Sequence, residues 1–395
     1  MGKRKNGEGS YGFKMINGVK YRRYIAPDKS WEVCAKTAKE LEEKKKLKEQ
    51  KIREAIKVDE RIKTVSDLCL EWLSAAKPDI APSTYDAYEN AYKRIIDFDG
   101  YDLGNKQLPK LIPDMIETFL YDLAKRYSKG SIDKTWTVIK QSILYGKKKG
   151  YIPSTLRLED IKKPKEINVA VKKKDIQFIV EEDMEILYKE SKRLTSRNTP
   201  LYGAAAQVVV FIMYSGLRVS EAVGLKWQYI EPEYKRIVVK ESSQKIVARD
   251  KEGNAVMNGE HKTYVQIQKN TKTESGERVI PLPPRAREVL QYMDFMHPNH
   301  RPSDHVFLTA INKPYDRRQI ERTLSRMMQN AGLSDKGYTP HSLRHGYGSI
   351  LLSKGVDIKT VSVLLGHKDV STTYNIYIHV LEKDKELAVM KAFSL

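Results

Sequence analysis

Two cysteines in 395 residues, Cys34 and Cys69, are too few for a disulfide framework, and neither has a histidine cluster beside it to make a metal site. That scarcity suits a reducing compartment. No apolar run approaches the ~18 residues that a membrane span requires. The opening Met1-Gly-Lys-Arg-Lys-Asn lacks the apolar core of a signal peptide, so export is not expected. The chain also has no Walker-type glycine loop, no His-Glu-x-x-His, no internal repeat and no long low-complexity tract, so nothing points to nucleotide or zinc chemistry. Acidic residues are in short supply as well. Against 71 Lys and Arg stand 51 Asp and Glu, a formal charge of +20. The basic residues are spread along the whole chain with tyrosines among them, which favours nucleic acid over a membrane surface as the polyanionic partner. A chain of this length suits two or three domains rather than one core.

Residues 1–57 carry 17 Lys and Arg against 8 Asp and Glu. Gly9–Lys14 and Val19–Ile25 alternate apolar with basic residues around Asn17-Gly18, a hairpin signal, and Trp31–Cys34 reads as a third strand. Such a sheet can lay a basic face in a major groove, with Tyr21, Arg22 and Arg23 as its DNA-binding candidates. Residues 37–58 read as an exposed connector helix. Four helical patterns follow, at Val65–Leu73, Ser83–Ile96 with Ser83 as a candidate N-cap, Ile112–Leu123, and Ser131–Tyr145 ending near Gly146 and Gly150. They predict a small helical bundle in which Trp72 and Trp136 belong to the core. Pro164 and the run Lys172-Lys173-Lys174 mark a basic linker, and the three lysines are further DNA-contact candidates.

Beyond residue 175 the pattern is mixed. Ala204–Tyr214 reads as a buried helix stopped by Gly216, Arg236–Lys240, Lys262–Gln268 and Arg278–Leu282 as strands, and Arg317–Asn330 as a helix. Arg249–Gly253 is a turn signal inside an extra hairpin. Arg218 and Glu221 are three residues apart at a helix start, where a carboxylate can orient a guanidinium. His341 and Arg344 share one side of a helix that opens at Pro340. His367 follows Gly366 at the end of a short helix, and Tyr377 lies ten residues on. Two arginines can fork the two free oxygens of a phosphodiester, histidines can donate to the same oxygens or move protons, and a tyrosine oxygen can attack phosphorus.

The order, spacing and flanking residues of Arg218-Val-Ser-Glu221, His341-Ser-Leu-Arg344-His, Leu364-Leu-Gly-His367 and Tyr377 resemble the tyrosine recombinase (phage-type integrase) family. The resemblance implies a multidomain α+β fold: a small N-terminal three-stranded β arm-binding module with its connector over 1–58, a helical core-binding (SAM-like) domain over 61–165, and a mixed α/β catalytic domain over 175–395. It implies that Arg218 and Arg344 clamp the phosphate and that Glu221 supports Arg218. His341 would act on the attacking hydroxyl, and His367 would donate a hydrogen bond to the phosphate. Lys272, with Lys269 as its rival, would protonate the departing 5′ oxygen. Tyr377 would be the nucleophile, and its neighbour Tyr374 is expected to pack against the domain. No metal or other cofactor is implied. The implied partners are double-stranded DNA at core and arm sites, three further copies of the chain in a tetramer, and an excisionase or host DNA-bending protein. The implied setting is a bacterial cytoplasm, at the nucleoid. The segment Leu381–Leu395 would be a short amphipathic helix docking on a neighbour or in cis. The implied function is integration and excision of a phage or conjugative transposon. A type IB topoisomerase and a non-catalytic DNA-binding regulator are the alternatives.

Overall fold

The computed structural model describes residues 9–26, 31–54, 62–152, 156–164, 178–251, 253–270 and 277–378. The chain falls into two compact units, Met1–Lys173 and Lys174–Leu395. The predicted contacts at Lys172, Lys173 and Lys174, the lysine at 272 and the segment 381–395 lie outside the described residues.

The first unit opens with an antiparallel sheet of β1 (Ser10–Ile16), β2 (Val19–Ile25) and β3 (Glu32–Ala35), in the order β1-β2-β3. Asn17 and Gly18 both take positive φ, 49° and 78°, as a two-residue hairpin turn demands. Strand alternation then sorts the side chains. Tyr11, Phe13, Arg22, Tyr24, Val33 and Ala35 share one face by register, and Tyr24 and Ala35 bury there against Leu41 of α1 (Ala38–Glu54). Tyr21, Arg23, Lys14 and Glu32 fall on the other face. The three contiguous DNA-binding candidates are therefore divided between the two faces of the sheet. The guanidinium of the exposed Arg22 sits over the Phe13 ring at 5.7 Å, on the side that carries α1, while the half-buried Arg23 pairs with Glu32 on the opposite face.

Four helices follow around a separate core: α2 (Val65–Ala76), α3 (Pro82–Ile96), α4 (Pro113–Ala124) and α5 (Lys129–Lys149). A reciprocal Thr64–Asp67 capping box starts α2, with Asp67 N donating to Thr64 Oγ1 at 3.2 Å and Thr64 N donating to Asp67 Oδ2 at 2.9 Å. The cap expected at Ser83 is absent. Pro82 occupies the first helical position, where its fixed φ and missing N–H cost nothing, and Ala81 is the N-cap. Helix α5 runs through Gly146, since a β-carbon there would press on Leu68 at 3.0 Å, and ends at Gly150 with φ 81°. Trp72 is buried and Trp136 half-buried against this core.

The second unit is built around α7 (Ala204–Ser215), apolar on every side and buried on every side, as such a helix must be. Helices α6 (Glu181–Ser191), α9 (Pro284–Met296), α10 (Arg317–Asn330) and α11 (Pro340–Ser353) pack on it. The short α8 (Val219–Gly224) follows α7 directly. Strands β4 (Arg236–Val239) and β9 (Arg278–Pro281) form one antiparallel pair. The hairpin is longer than its sequence signal: β5 (Glu241–Val247) pairs with β8 (Tyr264–Asn270) from Glu241↔Asn270 to Val247↔Tyr264, and β6 (Met257–Asn258) with β7 (His261–Lys262) nearer its tip. The chain ends its described part with α12 (Ile358–Leu365) and a helical stretch over 370–378. Among the described residues no helix is long and apolar enough to cross a membrane.

Candidate active site

Two glycine-controlled turns bring the chemistry together. Gly216 stops α7 in the left-handed region at φ 66°, and the chain turns so that Arg218 becomes the N-cap of α8. Glu221, on the first turn of that helix, accepts from the Arg218 backbone N–H at 2.9 Å and from its Nη1 at 2.7 Å. The carboxylate thus fixes both the turn and the guanidinium. The other nitrogen, Nη2, donates to the carbonyl of Gly366 at 3.0 Å. Gly366 itself, at φ 64°, caps α12 and delivers His367 into the same site.

On α11, Thr339 caps the helix and Pro340 begins it. His341 is exposed on its first turn. Arg344, one turn on, is only 2% exposed and is held at both ends, Nη1 donating to Gly216 O at 2.7 Å and Nη2 to Leu365 O. A guanidinium placed so deep needs such acceptors, because burying an unpaired cation is costly. His367 is half-buried, with Nδ1 2.8 Å from the hydroxyl of the fully buried Thr373.

Tyr377 is 0% exposed. Its ring lies among Leu352, Val361, Leu365 and Phe178, and its hydroxyl rests on Gly348, where any β-carbon would lie 2.3 Å from that oxygen. Nδ1 of His345 is 3.4 Å from the same hydroxyl. Tyr374 does the reverse of what the sequence suggests: it is 46% exposed rather than packed. The helical repeat explains this, since Thr373 and Tyr377 are one turn apart on the inward face and Tyr374 falls outside it.

The protonation states follow from this enclosure. Burial would raise the Glu221 carboxyl, but the fork from Arg278 and the charges of Arg218 and Arg344 hold it at about 2. Burial, then His341 and Arg344, pushes His345 down to about 4, and burial with Arg344 and Arg218 does the same to His367. His341 is lowered by partial desolvation and by Arg344, Arg317 and Arg218. All three imidazoles are therefore biased toward the neutral form near pH 7. Burial lifts the Tyr377 phenol well above the ordinary tyrosine range, with Arg344 opposing.

The structure thus gathers Arg218, Glu221, His341, Arg344, His367 and Tyr377 within one site. It also adds three residues that the motif reading passed over: His345, Thr373 and Arg278. For Arg278 a signal was available, since strand alternation puts it on the same inward face as Ile280. His345 and Thr373 carry no such mark, because their roles depend on which way Tyr377 turns.

Known proteins share both the sequence and the shape. Residues 177–384, more than half of the chain, match the phage integrase family, and residues 64–124 match the phage integrase N-terminal SAM-like domain. A tyrosine recombinase XerC-like protein of Caldanaerobacter subterraneus is 27% identical over 380 residues, covering 91% of this chain and 90% of its own. The integrase of Staphylococcus phage L54a is 25% identical over 312 residues, covering 76% and 84%. Among solved structures, the Tn1549 transposon integrase in complex with transposon right-end DNA superposes with a TM-score of 0.62 at 17% identity, over 84% of this chain and 100% of that one. A lambda integrase dimer bound to a core site gives 0.55 at 14% identity, over 92% and 94%. At these identities the structural likeness speaks for the fold alone, while the sequence match decides the family: the chain is a member of the phage integrase family of tyrosine recombinases.

Proposed function

We propose that this protein is a site-specific DNA recombinase that cuts and rejoins strands through a 3′-phosphotyrosyl link, integrating and excising a mobile element. The observation that carries the reading is the convergence of Arg218 and Arg344 on one buried carboxylate, beside His367 and the enclosed Tyr377. In this reading the two guanidiniums take the free oxygens of the scissile phosphate, with His341 and His367 beside them. The Tyr377 oxygen bonds to phosphorus as the bond to the 5′ oxygen breaks; neutral His341 takes the phenolic proton, and Lys272 supplies the proton that the departing oxygen needs. A 5′ hydroxyl from another strand then reverses the step. The diester energy is kept in the phosphotyrosyl link, so the cycle calls for neither ATP nor metal. Because the phenol is enclosed here, cleavage requires the 370–378 helix to shift it toward the phosphate.

The same reading assigns three domains, 1–58 to arm DNA, 61–165 to core DNA and 175–395 to catalysis. It has four copies act together on DNA, with an excisionase or host bending protein setting direction, and places the protein at the bacterial nucleoid. Lys172, Lys173 and Lys174 would contact phosphates from the linker. The XerC-like and phage integrase relatives favour recombination over a topoisomerase or a catalytically silent regulator.

The test is covalent trapping on a nicked duplex from the element's end, resolved on a denaturing gel. Wild type is expected to give a shifted band and Tyr377→Phe none. A band from both would move the nucleophile, with the exposed Tyr374 as the first candidate. Tight DNA binding without any band from wild type would favour the regulator.

A further inference from the structure

Arg278 has no part in the assignments above, yet it is the most completely enclosed cation of the site after Arg344. Its side chain is 3% exposed. It forks the Glu221 carboxylate with both terminal nitrogens, Nη2 to Oε2 at 2.8 Å and Nη1 to Oε1 at 3.2 Å. Its Nε donates to the carbonyl of Leu364 at 2.7 Å. One side chain on β9 therefore ties the carboxylate behind Arg218 to the end of α12, immediately before Gly366 and His367. The fit is close: a β-carbon at Gly366 would lie 2.9 Å from Arg278 Nη1.

Charge decides what this tie achieves. Glu221 faces three guanidiniums: Arg278 in a fork, Arg218 at 2.7 Å and Arg344 at 3.9 Å. Were Arg278 absent, the carboxylate would be neutralised only by the two arginines that the reaction needs for phosphate. With Arg278 present, one of the three cations is spent on Glu221. Two positive charges then remain on Arg218 and Arg344, which matches the two negative charges of a pentavalent phosphorane. His341, His345 and His367 add none while they stay neutral.

We propose that Arg278 is a positioning residue of the recombination reaction: it neutralises Glu221, so that the carboxylate aligns Arg218 without cancelling the positive charge offered to the phosphate. The proposal rests on the recombinase reading. It separates two jobs that a lone Arg218–Glu221 pair cannot do together, alignment and charge. It also predicts a specific coupling, because the harm of losing Arg278 comes from the carboxylate left behind.

The experiment measures covalent adduct formation on saturating nicked duplex by wild type, Arg278→Met, Glu221→Gln, the double variant and Arg278→Lys. DNA affinity and thermal denaturation are followed in parallel. Arg278→Met is expected to slow adduct formation about 100-fold with affinity changed by less than about threefold, the size of effect usual for a lost electrostatic contact to a transition state. The double variant is expected to recover about tenfold over Arg278→Met, a coupling that a packing role would not produce. If Arg278→Met does not fold, a folded and active double variant supports the proposal. If neither folds, Arg278→Lys decides: adduct formation within about tenfold of wild type supports the charge role, and a rate below about a hundredth overturns it. A double variant no faster than a folded Arg278→Met overturns the proposal while leaving the recombinase reading intact. Wild type that forms no adduct overturns both.

Discussion

Two carboxylates make the instructive contrast in this molecule. Glu221 and Glu32 each sit between basic side chains, Glu221 among Arg218, Arg278 and Arg344, and Glu32 between Lys14 and Arg23. Glu221 is 5% exposed and Glu32 33% at the side chain. In water the second arrangement is screened and contributes little, whereas the first works where no solvent can replace a lost partner. Proximity of opposite charges is common to both. Enclosure is what makes the first a tightly coupled set and leaves the second as a means of tuning a surface.

The largest effect should come from breaking the enclosed set. Arg344→Ala strips donors from Gly216 O and Leu365 O and leaves Glu221 with one fewer counter-charge. A loss of about 3–5 kcal/mol in folding stability is expected for a broken buried pair. Adduct formation should fall by at least about 100-fold for the folded fraction. Chemical denaturation of the second unit's transition, with trapping on the folded protein, measures both. A change below about 1 kcal/mol would mean that Arg344 is not held as the structure has it.

A pH scan sharpens the same point. His345 and His367 have folded values of about 4 against an ordinary 6.5, so the unfolded chain binds their protons first. The stability tied to their neutral form is complete above pH 6.5 and is lost as pH falls through 4. Glu221, at about 2 against 4.5, adds stability that is complete above 4.5 and is lost as pH falls toward 2. The Glu221 step corresponds to roughly 3 kcal/mol. Melting temperature against pH should therefore fall in two stages. His345→Gln should flatten the upper one, and Glu221→Gln the lower one after its own fixed loss. A curve for His345→Gln that parallels wild type between pH 6.5 and 4 would contradict the burial described for that ring.

How much of this was legible beforehand divides along the same line. Arg317–Asn330 reads as a helix from sequence and is one with those ends, because Asp316 and Gln319 form a capping box and the apolar residues keep strict helical spacing. Gly216 and Gly366 announce their helix ends, since left-handed turns favour glycine. Direction of side chains was harder. Tyr374 and Tyr377 are equivalent by residue type; spacing from His367 singles out Tyr377, but which of the two turns inward shows only in the seating of Thr373 and Tyr377 on the buried face. Arg278 looks like a solvated strand residue until alternation with Ile280 is applied. Tyr21, Arg22 and Arg23 stand side by side in the sequence, although a strand must send neighbours to opposite faces.

That last point yields the smallest and most discriminating effect. On the first unit's sheet, Lys14, Tyr21 and Arg23 lie opposite α1, and Arg22 lies on the α1 side over Phe13. If the face opposite α1 lies in the groove of arm DNA, Arg23→Ala removes one phosphate contact. The slope of log affinity against log salt should then become shallower by about 0.9. Arg22→Ala should leave that slope unchanged, although both substitutions remove one positive charge from the same strand. Binding of the full-length chain to a short arm duplex, titrated across salt, separates them. Equal slopes for the two variants would reduce the sheet to a diffuse positive charge. A shallower slope for Arg22→Ala alone would put the DNA on the helix side, where Lys20 over Phe13 would then be its natural companion. The expected asymmetry depends on backbone alternation and not on net charge, so it tests the strand geometry of an exposed surface in the way that Arg344 tests the enclosed one.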